Sequence, residues 1–247
     1  MTITNRETGT RIDEIEERIY RISTPVTKLP GGFSFNQYLI QDDETLLFHT
    51  GPRKLFPLVR DAISHVMPIE RLRYIGFSHF EADECGSLNE FLGVASAVPL
   101  CGKIAALVSV NDIADREARA MEDREIVSLG QREIQWLDTP HMPHAWECGV
   151  LFERTTRTLL CSDLFTEGGA DHPSVSETDI LEPSERFRKQ VDYYSHTKNA
   201  RQILARLAET RPATLARMHG SAWRGNGAEI LLALAQALEI DDRREVC

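Results

Sequence analysis

At 247 residues, 42% of them hydrophobic, the chain is long enough to bury a sizeable core and short enough to form one domain. Its 38 acidic residues outnumber 28 basic ones, and the resulting charge of −10 repels phosphates, which argues against nucleic acid or an anionic membrane surface as a partner. No apolar run approaches the roughly 20 residues that span a bilayer, and the polar stretch from Met1 to Glu17 does not read as a signal peptide, so a cytoplasmic protein is expected.

The predicted elements run as follows. Residues 1–14 read as a polar N-terminal extension. Arg18 to Ile22, Asn36 to Ile40 and Thr45 to His49 read as strands, the last two joined by a turn at Asp42-Asp43-Glu44. Lys54 to Val66 carries Leu55, Leu58, Val59, Ala62 and Val66 at helical spacing, with Pro68 just beyond. The apolar strand Leu72 to Phe77 leads into Ser78-His79-Phe80-Glu81-Ala82-Asp83-Glu84-Cys85, followed by short helices over Ser87 to Leu92 and Lys103 to Val110. Two hairpins are predicted, Glu125 to Leu129 with Glu133 to Leu137, and Gly149 to Glu153 with Thr158 to Cys161. A long helix from about Pro183 to Glu209, a strand from Ala213 to Met218 and a helix from Ala228 to Leu238 close the chain. Strand-rich halves that each end in helices, with no linker between them, predict a layered α/β fold in a single domain, residues 1–247.

The loop at His79 offers an imidazole and three carboxylates at the end of a buried strand, where α/β proteins commonly place chemistry. Its placement recurs. His144 follows the strand ending at Leu137, Asp163 follows Thr158 to Cys161, and His219 follows Ala213 to Met218. Four strands each ending in a potential ligand predict a metal site. The five cysteines, Cys85, Cys101, Cys148, Cys161 and Cys247, are scattered without a Cys-x-x-Cys pair and read as reduced thiols.

The pattern His79-x-Glu81-x-Asp83, His144, Asp163, His219 resembles the metallo-β-lactamase superfamily, and within it the diiron domain of flavodiiron proteins and their stand-alone oxygen-binding relatives. Asn36-Gln37-Tyr38-Leu39-Ile40, Gly86-Ser87-Leu88, Tyr193-Tyr194 and His219-Gly220-x-x-Trp223-Arg224 are similar to strings of that family. The resemblance covers about residues 15 to 240. It implies a four-layered αββα sandwich and two iron ions, one held by His79, Glu81 and His144, the other by Asp83 and His219, with Asp163 between them. Most flavodiiron proteins have a histidine where this chain has Glu84, which either binds the second iron through oxygen or turns away and leaves a position open.

The residue chemistry agrees. Zinc hydrolases of the superfamily use a nitrogen-richer set, whereas Glu81 and Glu84 are hard, charged ligands that suit iron or manganese. The expected activity is O₂ binding or the reduction of O₂, peroxide or nitric oxide. With no flavin expected in this chain, electrons would come from an outside donor, and an oxygen sensor or slow oxidase is expected ahead of a full reductase, with a redox partner or a signalling protein; a homodimer is left open. A dinuclear metallohydrolase, for instance a phosphodiesterase, is the alternative, and an inactive signalling module the third.

His141 competes with His144 and is assigned a role beside the metals, orienting a ligand or donating a hydrogen bond. Tyr193 and Tyr194 read as packing residues, one of them able to reach the pocket. His49 should be buried and hydrogen-bonded, Cys85 and Cys148 small buried residues, and His65, His172 and His196 exposed.

Overall fold

The computed structural model describes residues 2–245, so Cys247 lies outside the described residues. Eight strands form the first sheet in chain order: β1 (Thr2–Asn5), β2 (Thr10–Glu16), β3 (Ile19–Val26), β4 (Phe33–Ile40), β5 (Thr45–Phe48), β6 (Leu72–Gly76), β7 (Val98–Gly102) and β8 (Arg119–Met121). Neighbours are antiparallel as far as β5 and parallel from β5 to β8. The remaining strands are β9 (Ile126–Ser128), β10 (Glu133–Asp138), β11 (Gly149–Glu153), β12 (Thr158–Ser162), β13 (Val175–Ser176), β14 (Thr214–Arg217) and β15 (Ala222–Arg224). They form a second sheet in the order β13-β15-β14-β12-β11-β10-β9.

The two sheets face each other across a layer that includes Tyr38, Phe48 and Leu100 from the first and Trp136, Leu151 and Leu160 from the second. The central strands β5, β11 and β12 are buried on both faces, because the outer face of each sheet is covered as well. Val59, Ala62 and Ile63 of the helix Phe56–Ser64, with Phe91 of Leu88–Val94, pack on Leu39, Leu47 and Ile75. On the opposite side, Leu204 and Leu207 of Ala200–Glu209 and Leu231 and Leu234 of Gly227–Glu245 pack with Phe152, Leu159 and Leu215. This is the expected αββα sandwich. No helix of the described residues is long and apolar enough to cross a membrane.

Two expectations fail. Residues 1–14 are not an extension: β1 and β2 pair antiparallel at the sheet edge, with Thr10 and Ile12 buried. Short edge strands with charges on one side lack the apolar run that would announce them. The long helix is two helices, Leu181–Val191 and Ala200–Glu209. Asp192 adopts a left-handed backbone (φ 52°) and ends the first, which places Tyr193 and Tyr194 in the connecting segment rather than in a helix.

Buried polar groups tie the sheets together at the site. Asn36 Nδ2 donates to Gly220 O (2.7 Å) and Arg217 O (3.0 Å), and Tyr38 Oη donates to Arg217 O (2.6 Å). Arg21 Nη2 also donates to Gly220 O (2.7 Å), and Arg217 reaches Phe165 O (2.8 Å) and Ser221 O (2.7 Å). Both arginines are fully buried, and burial lowers the Arg21 guanidinium to about 10, still charged at neutral pH. These bonds clamp the loop after β14.

Trp136 fills the space between sheets only because small residues face it: a Cβ on Gly149 would lie 2.2 Å from its ring, and one on Gly102 3.0 Å. Gly149→Ala should therefore destabilise the protein by about 1–3 kcal/mol. Gly93→Ala, in a helix with open space around it, should be neutral or stabilising. Thermal denaturation followed by circular dichroism checks the pair.

Candidate metal centre

The strands β6, β10, β12 and β14 all release their chains at one edge of the sandwich, and the side chains that follow them converge. His79 Nε2 lies 3.2 Å from Glu81 Oε2 and 3.0 Å from His144 Nε2, and His144 Nε2 lies 3.1 Å from Glu81 Oε2. Asp163 Oδ2 faces these imidazoles, 3.6 Å from His79 Nε2 and 3.4 Å from His144 Nε2. Its other oxygen, Oδ1, is 3.3 Å from His219 Nε2, which is itself 3.4 Å from Asp83 Oδ2. One carboxylate thus stands between two ligand groups. Glu84 Oε2 is 3.7 Å from His79 Nε2. All seven predicted side chains meet here.

The donor set fits a pair of cations. Three imidazole nitrogens and four carboxylates point at one another in a space where Glu84 has no solvent exposure, His79 has 1% and Asp163 5%. Among the described residues His144 Nδ1 has no hydrogen-bond partner, and the Glu84 carboxylate meets no N–H donor in hydrogen-bond geometry, only the neighbouring carboxyl of Asp83. Buried carboxylates in that condition need protons or metal ions nearby.

Without a metal the groups compensate one another. Glu81 is held down at about 2 by hydrogen bonds from His144 and His79. Burial opposes charge on Asp163 but is outweighed by the hydrogen bond from His219 and the nearby imidazoles, so its carboxyl sits below the usual range. Burial likewise disfavours charge on His219, yet hydrogen bonds to Asp163 and Asp83 outweigh it and raise the imidazole to about 9. Glu84 is pushed up by burial, then by the charges of Asp163 and Asp83.

The rear of two candidate ligands, His219 and His79, is also fixed. His219 Nδ1 donates to Ser34 O (2.8 Å), which leaves Nε2 facing Asp83 and Asp163 as an electron-pair donor in the neutral ring. Phe33 packs on the same ring at 4.2 Å between centroids. Ser78 Oγ is a three-way junction with His79 Nδ1 (2.9 Å), Ser162 Oγ (2.8 Å) and His49 Nε2 (3.0 Å). Accepting from His79 Nδ1, it directs that ring's Nε2 towards the cluster. Burial lowers His49 to about 3 and keeps it neutral.

Ser78 and Ser162 were not singled out in the sequence. The available signal was that each immediately precedes a ligand, His79 or Asp163.

The remaining predicted residues divide. Tyr193 Oη donates to the backbone carbonyl of Asp163 (2.9 Å) and its ring meets His144 edge-on at 6.0 Å, so it steadies two ligands from outside the cluster. Tyr194 packs on Tyr193 and under Arg188. His141 is exposed, with a left-handed backbone (φ 64°), and among the described residues its ring makes no hydrogen bond to the ligand group. The expectation that it assists the metals is therefore not met in this structure: the turn that presents His144 inward points His141 to solvent.

His172 is buried rather than exposed, its ring paired with Gly169 O at 3.1 Å and its carbonyl with Arg11. His65 and His196 are exposed as expected. Cys85 and Cys148 are buried; the Cys148 thiol lies on the Nδ1 side of His79, and burial raises Cys85 to about 12.

Fold and site together define a metallo-β-lactamase-like domain with a candidate dinuclear metal centre. The chain belongs to the family described as ODP family beta lactamase, whose model matches residues 33–220. It is 24% identical over 197 residues to a putative diflavin flavoprotein A 2 from Synechocystis, covering 78% of this chain and 34% of that protein. It is 23% identical over 216 residues to an anaerobic nitric oxide reductase flavorubredoxin from Pectobacterium carotovorum (81% and 41%). The chain thus spans under half the length of these relatives. Its fold is similar to that of a flavo di-iron protein from Thermotoga maritima, with a TM-score of 0.80 at 16% identity over 92% of this chain and 62% of that one.

Two outcomes follow from the site. Ser78→Ala should weaken metal binding about 10–100-fold, as loss of a ligand's supporting hydrogen bond typically does, measured by chelator competition. In the metal-free protein, His219 binds a proton more tightly when folded, about 9 against 6.5, so its contribution to stability is complete below pH 6.5 and is lost as pH rises through 9. Urea denaturation of the metal-free protein between those pH values should show falling stability, with a flatter profile for His219→Gln.

Proposed function

We propose that this chain is a non-heme diiron protein that binds or reduces O₂, with peroxide or nitric oxide as related ligands and electrons supplied by an outside donor. The observation that carries the reading is the carboxylate of Asp163, divided between the His79–Glu81–His144 group and the Asp83–His219 group. Two cations in a set with four carboxylates would be hard, redox-capable ions, and iron suits such ligands better than zinc does. The names of two relatives, an anaerobic nitric oxide reductase flavorubredoxin and a rubredoxin-oxygen oxidoreductase, support the same chemistry.

Bound iron would supply reversible one-electron steps. The protein's own part is positional. His79, Glu81 and His144 would hold one ion and Asp83 and His219 the other, while Asp163 keeps the two at a fixed separation. Ser78 and Ser34 set the imidazole tautomers, and Phe33 and Tyr193 close apolar surface over His219 and His144. Glu81, with its side chain 54% exposed, and His144, at 23%, mark the side from which a small ligand would enter. A hydrolase would gain little from Glu81, whose charge lowers the Lewis acidity of the ion it binds. Oxygen sensing in the cytoplasm, with a signalling or redox partner, is the role we favour.

Protein purified without oxygen should contain two irons per chain and develop a new charge-transfer band on exposure to air. Two zincs per chain, no spectral change and phosphoester cleavage would overturn the proposal.

A further inference from the structure

Behind the loop that carries His219, the layer between the sheets is charged rather than apolar. Asp13 of β2 stands opposite Arg21 of β3, which stands opposite Tyr38 of β4. Arg11, two residues before Asp13, shares that face of the sheet. Arg217 of β14 adds a third guanidinium, and the charges of Arg11 and Arg217 both bear on Arg21. All three are cations at neutral pH.

Two of the three are answered by carboxylates. Arg217 Nη2 lies 3.3 Å from Glu167 Oε2, and Arg11 Nε lies 3.6 Å from Asp13 Oδ2. Arg11 also approaches Asp171, which at 98% exposure stands in solvent. Arg21 is different. It has no solvent exposure and forms no ion pair among the described residues, and its hydrogen bond, from Nη2, goes to the neutral carbonyl of Gly220 at 2.7 Å. Its Nε and Nη1 have no hydrogen-bond partner there, and neither has Arg11 Nε. Asp13 and Tyr38 offset part of the cost from a distance, while burial, Arg11 and Arg217 oppose the charge. A guanidinium cannot escape by losing its proton, so a wholly buried one with orphan N–H donors is costly unless an anion meets it.

We infer that the free N–H donors of Arg21 hold a small monovalent anion of the chloride class, sealed between the two sheets beside the Gly220 carbonyl. The charge follows from the count: three guanidiniums face inward and two carboxylates, Asp13 and Glu167, answer them. The class follows from the donors, which are N–H groups alone and too few for a multiply charged oxyanion such as phosphate. This site is separate from the metal ligands and does not depend on the function proposed above.

The test is thermal denaturation of the whole chain, with metals and after chelation, between about 1 and about 100 mM sodium chloride, with sodium gluconate holding the ionic strength constant. An anion site present only in the folded state should raise Tm by roughly 3 °C or more over that range, equally in both forms. Arg21→Met should abolish the rise. In gluconate alone it should match or exceed the wild type, because an unanswered charge is gone and Gly220 O keeps the hydrogen bond from Asn36 Nδ2. Arg53→Met, at an arginine whose side chain is 82% exposed, should keep the full rise. In wild-type crystals grown with sodium bromide, an anomalous peak should touch Arg21 Nε or Nη1.

A Tm that ignores chloride, a rise that survives in Arg21→Met, or a rise confined to the metal-loaded form overturns the assignment. So does a bromide map with peaks at the surface alone, the mark of an adventitious ion only. The bromide map uses the wild type, so it decides the matter even if Arg21→Met does not fold.

Discussion

Asp163 carries a buried negative charge whose two oxygens face different imidazoles, and most of the structure around the site can be read as the means of holding it there. A carboxylate with 5% exposure would be costly alone. Here His219 meets one oxygen, and His79 and His144 meet the other. Those imidazoles come from three different strand ends, two in the second sheet and one in the first. The spacing therefore depends on how the sheets are set against each other. Two polar links fix that setting beside the cluster: the hydrogen bond between Ser78 Oγ and Ser162 Oγ, and the reach of Asn36, Tyr38 and Arg21 from the first sheet to the loop that carries His219.

The same arrangement explains the electrostatics. Four carboxylates and three imidazoles in one dry pocket cannot all ionise as they would in water. The acids nearest the imidazoles are held charged, His79 and His219 take up protons more readily, and Glu84, buried and flanked by Asp163 and Asp83, is pushed the other way. Protons and metal ions compete for the same lone pairs, so the pocket that forms without metal is already shaped by the charge a metal pair would bring. Hard oxygen donors in such number, mixed with imidazoles, suit iron or manganese better than zinc.

What could be read in the sequence tracks how much of the physics is local. The strand Gly149–Glu153 and the turn after it were legible because five consecutive buried residues are bounded by turn residues. The candidate ligands His79, Glu81, Asp83, Glu84, His144, Asp163 and His219 were legible because each follows an apolar strand. Strands β1 and β2 were missed because pairing at a sheet edge, not apolar content, makes them strands. The break at Asp192 was missed because the apolar period continues on both sides of it. The exposure of His141 and the burial of His172 depend on loop paths that no period encodes.

By itself the sequence determined which residue types stand at the ends of which strands, and with that the hard, carboxylate-rich character of the centre. That much follows from local pattern and ligand chemistry. Only the tertiary structure decided how those residues are shared. It brought two sheets together so that Asp163 faces both ways, turned Tyr193 towards the backbone of Asp163, and set Asp83 against His219 with Glu84 buried beside His79 and Asp83. Adjacent residues on one helical turn point in directions about 100° apart. Where each carboxylate ends is therefore a question of packing, set by the pinned backbone at Thr50 and Gly86 rather than by the order of letters.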